Sequence, residues 1–322
     1  MSVIDISVLI PTYNRKLILQ KTISHICNQT FPKRKYEVVI IDDYSKDGSQ
    51  EYLSNLKLPL KFTYLQNGEN LGRAKTRNRG LKVAKGKYVL MIDDDLWARQ
   101  DLLEEHYKKH ERSNKDVAVV GAILVAAEIP KTSVNERLND HHLWCYDEMC
   151  KSKNHLPYTF CKTANLSLPS RLLEKIGLFN ESFIHYGGED TEFGYRLSQN
   201  NINLIFAQNA VAYHFHNETV ESLIAKEIER AKTYYIYRQL HPEHKPDARA
   251  FFSPFYHKGF DVRTMLYNFV KMILFMPLSR HMNKLTIKCF NESPMLRSLL
   301  VKYLIPILQT QYSQYGIKRA MK

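Results

Sequence analysis

Short apolar runs punctuate the first half of the chain, and several stop at residues able to do chemistry. Ile6–Ile10 ends at Pro11-Thr12-Tyr13-Asn14-Arg15, Tyr36–Ile41 at Asp42-Asp43-Tyr44-Ser45, and Tyr88–Ile92 at Asp93-Asp94-Asp95. Apolar runs of this length predict buried strands. Lys61–Leu65 and Val117–Ala126 read as two more. Between them, Leu17–Gln29, Gly48–Leu56, Arg73–Ala84 and Asp101–Arg112 read as helices. Strands alternating with helices predict an α/β fold: a mostly parallel sheet with helices on both faces and right-handed crossovers.

The second half is less regular. Residues 128–160 are polar, rich in His, Lys and Asn, and show no period, so they read as an irregular functional loop. Thr163–Leu168 predicts a strand, with Ser170 placed to cap a helix over Arg171–Ile176. Gly187-Gly188 predicts a turn before a helix over Asp190–Asn200. Leu204–Phe206 and Val211–Tyr213 are two short apolar pieces, and Glu218–Leu240 reads as a long helix. The Pro/His-rich stretch Pro242–Pro254 marks a break. It divides a catalytic domain over 1–240 from a mainly helical module over 241–322, with helical stripes at Val262–Phe275 and Met295–Leu308.

Charge changes the picture most in that module. The chain of 322 residues carries +13, with ordinary apolar (44%) and charged (25%) content. Residues 251–322 hold eleven Lys/Arg against Asp261 and Glu292, an excess of +9. Apolar stripes of this kind commonly form intramolecular core, while the basic excess suits an anionic membrane surface or an anionic polymer acceptor, and the stripes could also form an oligomer interface. It carries no nucleic-acid motif, which argues against a nucleic-acid partner. No apolar run reaches about 18 residues, so no spanning helix is expected. Met1–Asp5 lacks the pattern of an export signal. The expected location is cytoplasmic, peripheral on the cytoplasmic face of the membrane if the module lies on it. Five cysteines, an odd number, read as thiols of a reducing compartment. Cys145-x4-Cys150 beside His141 and His142 has poor spacing for zinc.

The aspartate triplet is the strongest chemical signal. Adjacent carboxylates repel, and a divalent cation with phosphate oxygens relieves them; a solvated acidic loop is the alternative. The C-terminal ends of strands are where open α/β sheets bind ligands. There, Tyr13 could stack on a nucleobase and Asp42 or Asp43 accept a base N–H, although a helix-capping turn also explains Asp42-Asp43. Gly72-Arg73 and Arg77 put guanidinium groups at a helix start, an arrangement suited to a diphosphate. In His185-Tyr186-Gly187-Gly188-Glu189-Asp190, two glycines admit close backbone approach and carboxylates open a helix. An N-cap is the competing role for Asp190. His214-Phe215-His216 sets two imidazoles on one side of a strand, one of them able to ligate a cation held by the aspartates.

Taken in order, these motifs resemble the glycosyltransferases of the GT-A fold, most closely family 2. The resemblance covers roughly residues 3–216. It rests on Val8–Arg15, Ile41–Ser49, Asn70-Leu71-Gly72-Arg73, the triplet, Ala164-Asn165-Leu166-Ser167, Gly187-Gly188-Glu189-Asp190 and His214. The Gly-Gly-Glu-Asp half also looks like the C-terminal portion of galactosyl- and N-acetylgalactosaminyltransferases.

The resemblance implies a Rossmann-like GT-A sheet and a UDP-sugar donor held with Mn2+ or Mg2+. Asp95 would ligate the metal, with His214 completing the site and His216 its alternative. Asp93 would contact ribose or the metal shell, and Asp94 could share a ligand role. Pro11, Tyr13, Arg15 and Asp43 would hold uracil, and Arg77 would approach the base or diphosphate. Asp190 would be the general base, with Glu189 orienting sugar or acceptor. The expected reaction is inverting transfer of a hexose or N-acetylhexosamine to a hydroxyl of a glycan, polymer or lipid-linked acceptor. A retaining transferase and a non-catalytic polyanion- or glycan-binding protein are the competing readings.

Overall fold

The computed structural model describes residues 3–244, and the stripes read at Val262–Phe275 and Met295–Leu308 lie outside them. Eight strands form one sheet: β1 (Ile6–Thr12), β2 (Tyr36–Asp42), β3 (Lys61–Gln66), β4 (Tyr88–Ile92), β5 (Leu96–Ala98), β6 (Val117–Val125), β7 (Asn165–Pro169) and β8 (Asn203–His214). Their order is β3-β2-β1-β4-β7-β6-β8-β5. Parallel pairings join β3 to β2, β2 to β1, β1 to β4 and β6 to β8; β7 is antiparallel to both its neighbours, and β5 to β8.

Eight helices accompany the sheet among the described residues: α1 (Lys16–Cys27), α2 (Ser49–Asn55), α3 (Arg73–Leu81), α4 (Leu102–Glu111), α5 (Ser133–Lys151), α6 (Leu172–Ile176), α7 (Glu189–Gln199) and α8 (Val220–Leu240). Alternate residues of each central strand feed two cores, as the two-residue pleat requires. Val8, Ile10, Val38, Ile40, Leu90 and Ile92 pack with Leu19, Ile23 and Ile26 of α1 and Leu102 and Leu103 of α4. Leu9, Val39, Ile41, Val89 and Met91 pack with Ala74 and Leu81 of α3, Leu172 and Ile176 of α6, and Phe193 and Leu197 of α7. Helices cover both faces, so these strands are apolar without alternation. α3 sits unusually close: a Cβ on Gly80 would meet Ile41 Cδ1 at 2.5 Å.

Three elements differ from the sequence reading. Residues 128–160 contain α5, a helix of 19 residues. Its apolar face is Cys145, Tyr146, Met149 and Cys150, packed on the core. That stripe occupies only the last two turns, and the polar first half hides it from a window average. The two pieces after residue 203 are one strand of 12 residues, β8. Its ladder with β6 shifts register between Gly121 and Ala122, so the polar Gln208-Asn209 bulges while pairing resumes at Val211. The third is β5, a strand of 3 residues directly behind the triplet. Ser170 does not cap α6 with its side chain; its hydroxyl donates to the Gly86 carbonyl.

The described residues divide into two compact units, one up to Ile129 with His142–His216, the other of Pro130–His141 with residues 217–244. In the second unit, α8 opens with a reciprocal cap between Thr219 and Ser222. Among the described residues no helix is long and apolar enough to cross a membrane.

Candidate active site

The triplet follows β4, and each aspartate meets a different environment. Asp93 is the most open; its Oδ1 accepts from Arg77 Nη2 at 3.0 Å. Asp94 is buried and accepts from Thr12 Oγ1 at 2.7 Å and Arg15 Nη1 at 3.1 Å. Asp95 is also buried and accepts from the same Arg15 nitrogen. Burial and the neighbouring Asp95 charge push the Asp94 carboxyl up. Burial opposes ionisation of Asp95 as well, but His214, Arg15 and His216 outweigh it and hold that carboxyl down. The pair therefore polarises: Asp94 is the member that keeps a proton more readily, and Asp95 stays anionic.

β5 explains how Asp95 finds His214. Leu96 pairs with His214 across the β5–β8 ladder, and Phe215 N donates to the Asp95 carbonyl at 2.8 Å. Phe215 turns to the apolar side and stacks on Trp97, ring centroids 4.7 Å apart. His214 and His216 consequently face the other side, their centroids 4.6 Å apart. One ligand atom each from Asp95, His214 and His216 lie within 4.8 Å of one another, the only such group among the described residues. His214 Nε2 stands 3.3 Å from Asp95 Oδ1. That oxygen is buried and has no hydrogen-bond partner within the described residues, which fits a cation ligand. Two imidazoles and a carboxylate suit Mn2+ or Zn2+ and accept Mg2+ less readily.

Arg77 lies fully inside, 2% exposed, between two acids: Nη2 reaches Asp93 and Nη1 reaches Glu189 Oε1 at 2.8 Å. It is occupied by protein carboxylates where the family resemblance would send it toward base or diphosphate. Glu189 Oε2 is buried and unpartnered. Gly188, at φ 89°, precedes α7 as its N-cap, so Asp190 is the second helical residue rather than the cap. Asp190 is half-buried and accepts from Thr191 N at 2.7 Å. Burial first, and then the Asp190 charge, push the Cys161 thiol up.

Beyond the ends of β1 and β2, Tyr13 is 45% exposed. Asp43 accepts from Asn67 Nδ2 at 2.7 Å, Leu71 N at 2.7 Å and Gly72 N at 3.0 Å, which ties β2 to the start of α3. Its Oδ2 receives one of these bonds and Oδ1 two. Asp42 accepts from Ser45 N at 3.0 Å and closes a turn, but Gly48 is the N-cap of α2, so Asp42 does not cap that helix. Pro11 is half-buried in β1, paired in register with Ile41. Arg15 serves Asp94 and Asp95. Arg73 was grouped with Arg77 in the sequence reading but behaves differently: it makes no hydrogen bond or ion pair to a carboxylate among the described residues. Its guanidinium lies 4.4 Å from the Tyr186 ring. Burial opposes its charge, but Tyr186, Glu189, Asp93 and Asp95 raise its pKa above the usual value.

Residues 145–220 match the N-terminal domain of galactosyltransferase. A chondroitin synthase of Escherichia coli is 29% identical over 270 residues, 73% of this chain and 39% of that protein. The chain thus spans well under half of that relative. Staphylococcus aureus TarS 1–349 aligns over 98% of this chain and 89% of its own at TM-score 0.56 and 16% identity. The mannosyltransferase PcManGT of Pyrobaculum calidifontis, solved with GDP-Man and Mn2+, aligns over 98% and 84% at TM-score 0.58 and 19% identity. These two likenesses establish a shared GT-A fold. Residues 7–176, over half of the chain, match glycosyl transferase family 2, and the chain belongs to that family.

Proposed function

We propose that the chain is a metal-dependent inverting glycosyltransferase that moves a hexose or N-acetylhexosamine from a UDP-sugar to a hydroxyl of a glycan, polymer or lipid-linked acceptor. The observation that carries this reading is the meeting of Asp95 with His214 and His216, with a buried Asp95 oxygen unmatched. A divalent cation held there by Asp95 and His214, with His216 beside them, would stabilise the charge of the departing nucleoside diphosphate. Tyr13 offers a ring for the base, and Asp43 Oδ2 retains capacity for one more donor. Arg73 supplies a charged guanidinium not already taken by a carboxylate, suited to diphosphate oxygens. Asp190 takes the proton of the acceptor hydroxyl as its oxygen bonds to the anomeric carbon and the sugar–phosphate bond breaks. General-base assistance of this kind is worth about 10²–10⁴-fold. Glu189, held by Arg77, keeps an oxygen for a substrate hydroxyl. One displacement inverts the anomeric centre.

The basic residues beyond 250 extend this reading to an anionic acceptor or a membrane surface at the cytoplasmic face, and to contact between copies of the chain. A panel of UDP-sugars with Mn2+ and a glycan acceptor, read by UDP release, tests the assignment. Asp190→Asn is expected to abolish turnover and leave UDP binding largely intact. Turnover of GDP- or dTDP-sugars alone would sink the donor assignment, and a product of retained configuration by NMR would sink the inverting mechanism.

A further inference from the structure

Where a histidine ligates a metal through one ring nitrogen, the other nitrogen carries a proton, and the acceptor of that proton fixes the ring's tautomer and direction. His214 presents Nε2 toward Asp95, at 3.3 Å. Its Nδ1 faces the opposite way and lies 3.4 Å from His142 Nε2. The two rings are perpendicular, 89° apart, with centroids at 5.4 Å.

We propose that His142 is a positioning residue of the cation site: its Nε2 accepts the Nδ1 proton of His214 and holds His214 Nε2 bare toward Asp95. This rests on the reading of Asp95, His214 and His216 as cation ligands. His142 is not part of that converging group. It stands one hydrogen bond behind it, on α5. Counting along the helix from His142, positions i+3, i+4, i+7 and i+8 are Cys145, Tyr146, Met149 and Cys150, which pack on the core. His142 therefore belongs to the inward face of α5, and its place is set by the packing of two helical turns. The donor and acceptor roles then follow in series. His214 Nδ1–H donates, so His142 Nε2 is bare and His142 carries its own proton on Nδ1. With His142 absent, the His214 ring gains freedom to rotate or to place its proton on Nε2, the nitrogen the cation needs.

The test is a titration of the full chain with Mn2+, free ion read by EPR, with and without UDP. His142→Leu is expected to weaken Mn2+ binding ten- to a hundred-fold. His142→Gln, whose side-chain carbonyl accepts a proton from the same place, is expected to restore most of it. Nitrogen-15 spectra of the Zn2+-loaded wild type are expected to show His214 protonated at Nδ1. Wild-type Mn2+ affinity in His142→Leu overturns the proposal. So does His142→Gln binding as weakly as His142→Leu, since that result makes His142 a ligand in its own right. If His142→Leu does not fold, the wild-type spectrum decides, and a His214 bare at Nδ1 refutes the role. A wild type whose Mn2+ binding is absent, or unchanged by Asp95→Asn, is a different result: it removes the cation reading itself.

Discussion

Arg77 Nη1 donates to Glu189 Oε1 at 2.8 Å, joining the helix that follows β3 to the first residue of α7. The same guanidinium reaches Asp93, so one buried cation fixes the first aspartate of the triplet and the acid beside the proposed base. Arg77→Met leaves two acids without their counter-charge. Removing one partner of such a buried pair costs about 3–5 kcal/mol. Urea unfolding of Arg77→Met is expected to show a loss of this order, with part recovered in Arg77→Met/Glu189→Gln. An Arg77→Met chain as stable as wild type would refute the bridge.

Asp94 and Asp95 are expected to separate in mutation although they are adjacent and share Arg15. Asp94 accepts from Thr12 and resists ionisation, so Asp94→Asn replaces a carboxyl already prone to its neutral form. We expect it to fold and keep turnover within about tenfold, whereas Asp95→Asn loses Mn2+ binding and at least about 10²-fold in kcat/KM. Equal losses in both would place Asp94 among the ligands. This comparison chooses between the two registers in which the triplet can be read.

Acid sensitivity should come from a cluster away from the triplet. Ser167 Oγ lies 2.8 Å from His106 Nδ1 and 2.7 Å from His110 Nε2, and His106 Nε2 lies 2.9 Å from Asn165 Oδ1. The only consistent proton order has His110 donating to Ser167, Ser167 to His106, and His106 to Asn165, whose amide donates to the carbonyls of Ala122 and Ala210. Burial lowers His106 from 6.5 to about 4 and His110 from 6.5 to about 3. The unfolded chain takes up these protons first. Their contribution is thus complete above about pH 6.5 and is lost as pH falls toward 4, at up to about 1.4 kcal/mol per pH unit for each ring. Urea midpoints measured from pH 7 to pH 4 are expected to fall, with a shallower slope in His110→Phe. A flat profile would contradict the scheme.

The same cluster needs the space left by Gly121. A Cβ there would meet the Asn165 amide nitrogen, and the Ala210 carbonyl at 2.5 Å. Gly121→Ala is expected to cost about 1–3 kcal/mol and lower the melting temperature, as overpacking of a tight interior does. Unchanged thermal unfolding would show that β6 and β8 can part there without penalty.

How much of this was legible in the sequence depended on whether a signal was local. The apolar runs ending at Pro11, Asp42 and Asp93 gave the sheet and the side on which its polar groups gather, because strand burial and strand ends are written in adjacent residues. α5 was hidden because its apolar stripe is confined to Cys145–Cys150, and β8 because a bulge interrupts its apolar run. β5 gave no signal at 3 residues. Partner choice was not legible either. Arg15, Arg73 and Arg77 look alike as letters, yet one serves the aspartate pair, one stacks on Tyr186 and one is enclosed between acids. Those fates depend on which segments the topology brings together.

The β5–β8 pairing also sets when the cation site can exist. Asp95 leaves the ribosome early, whereas the strand that ends at His214 follows only after seven further elements have been made. Chains are synthesised at about 5–20 residues per second and fold from the N-terminal side. The nascent chain therefore carries its aspartates for seconds before His214 or His216 can join them. On the proposed cation reading, metal capture would wait until β5 pairs with β8 and the edge of the sheet closes.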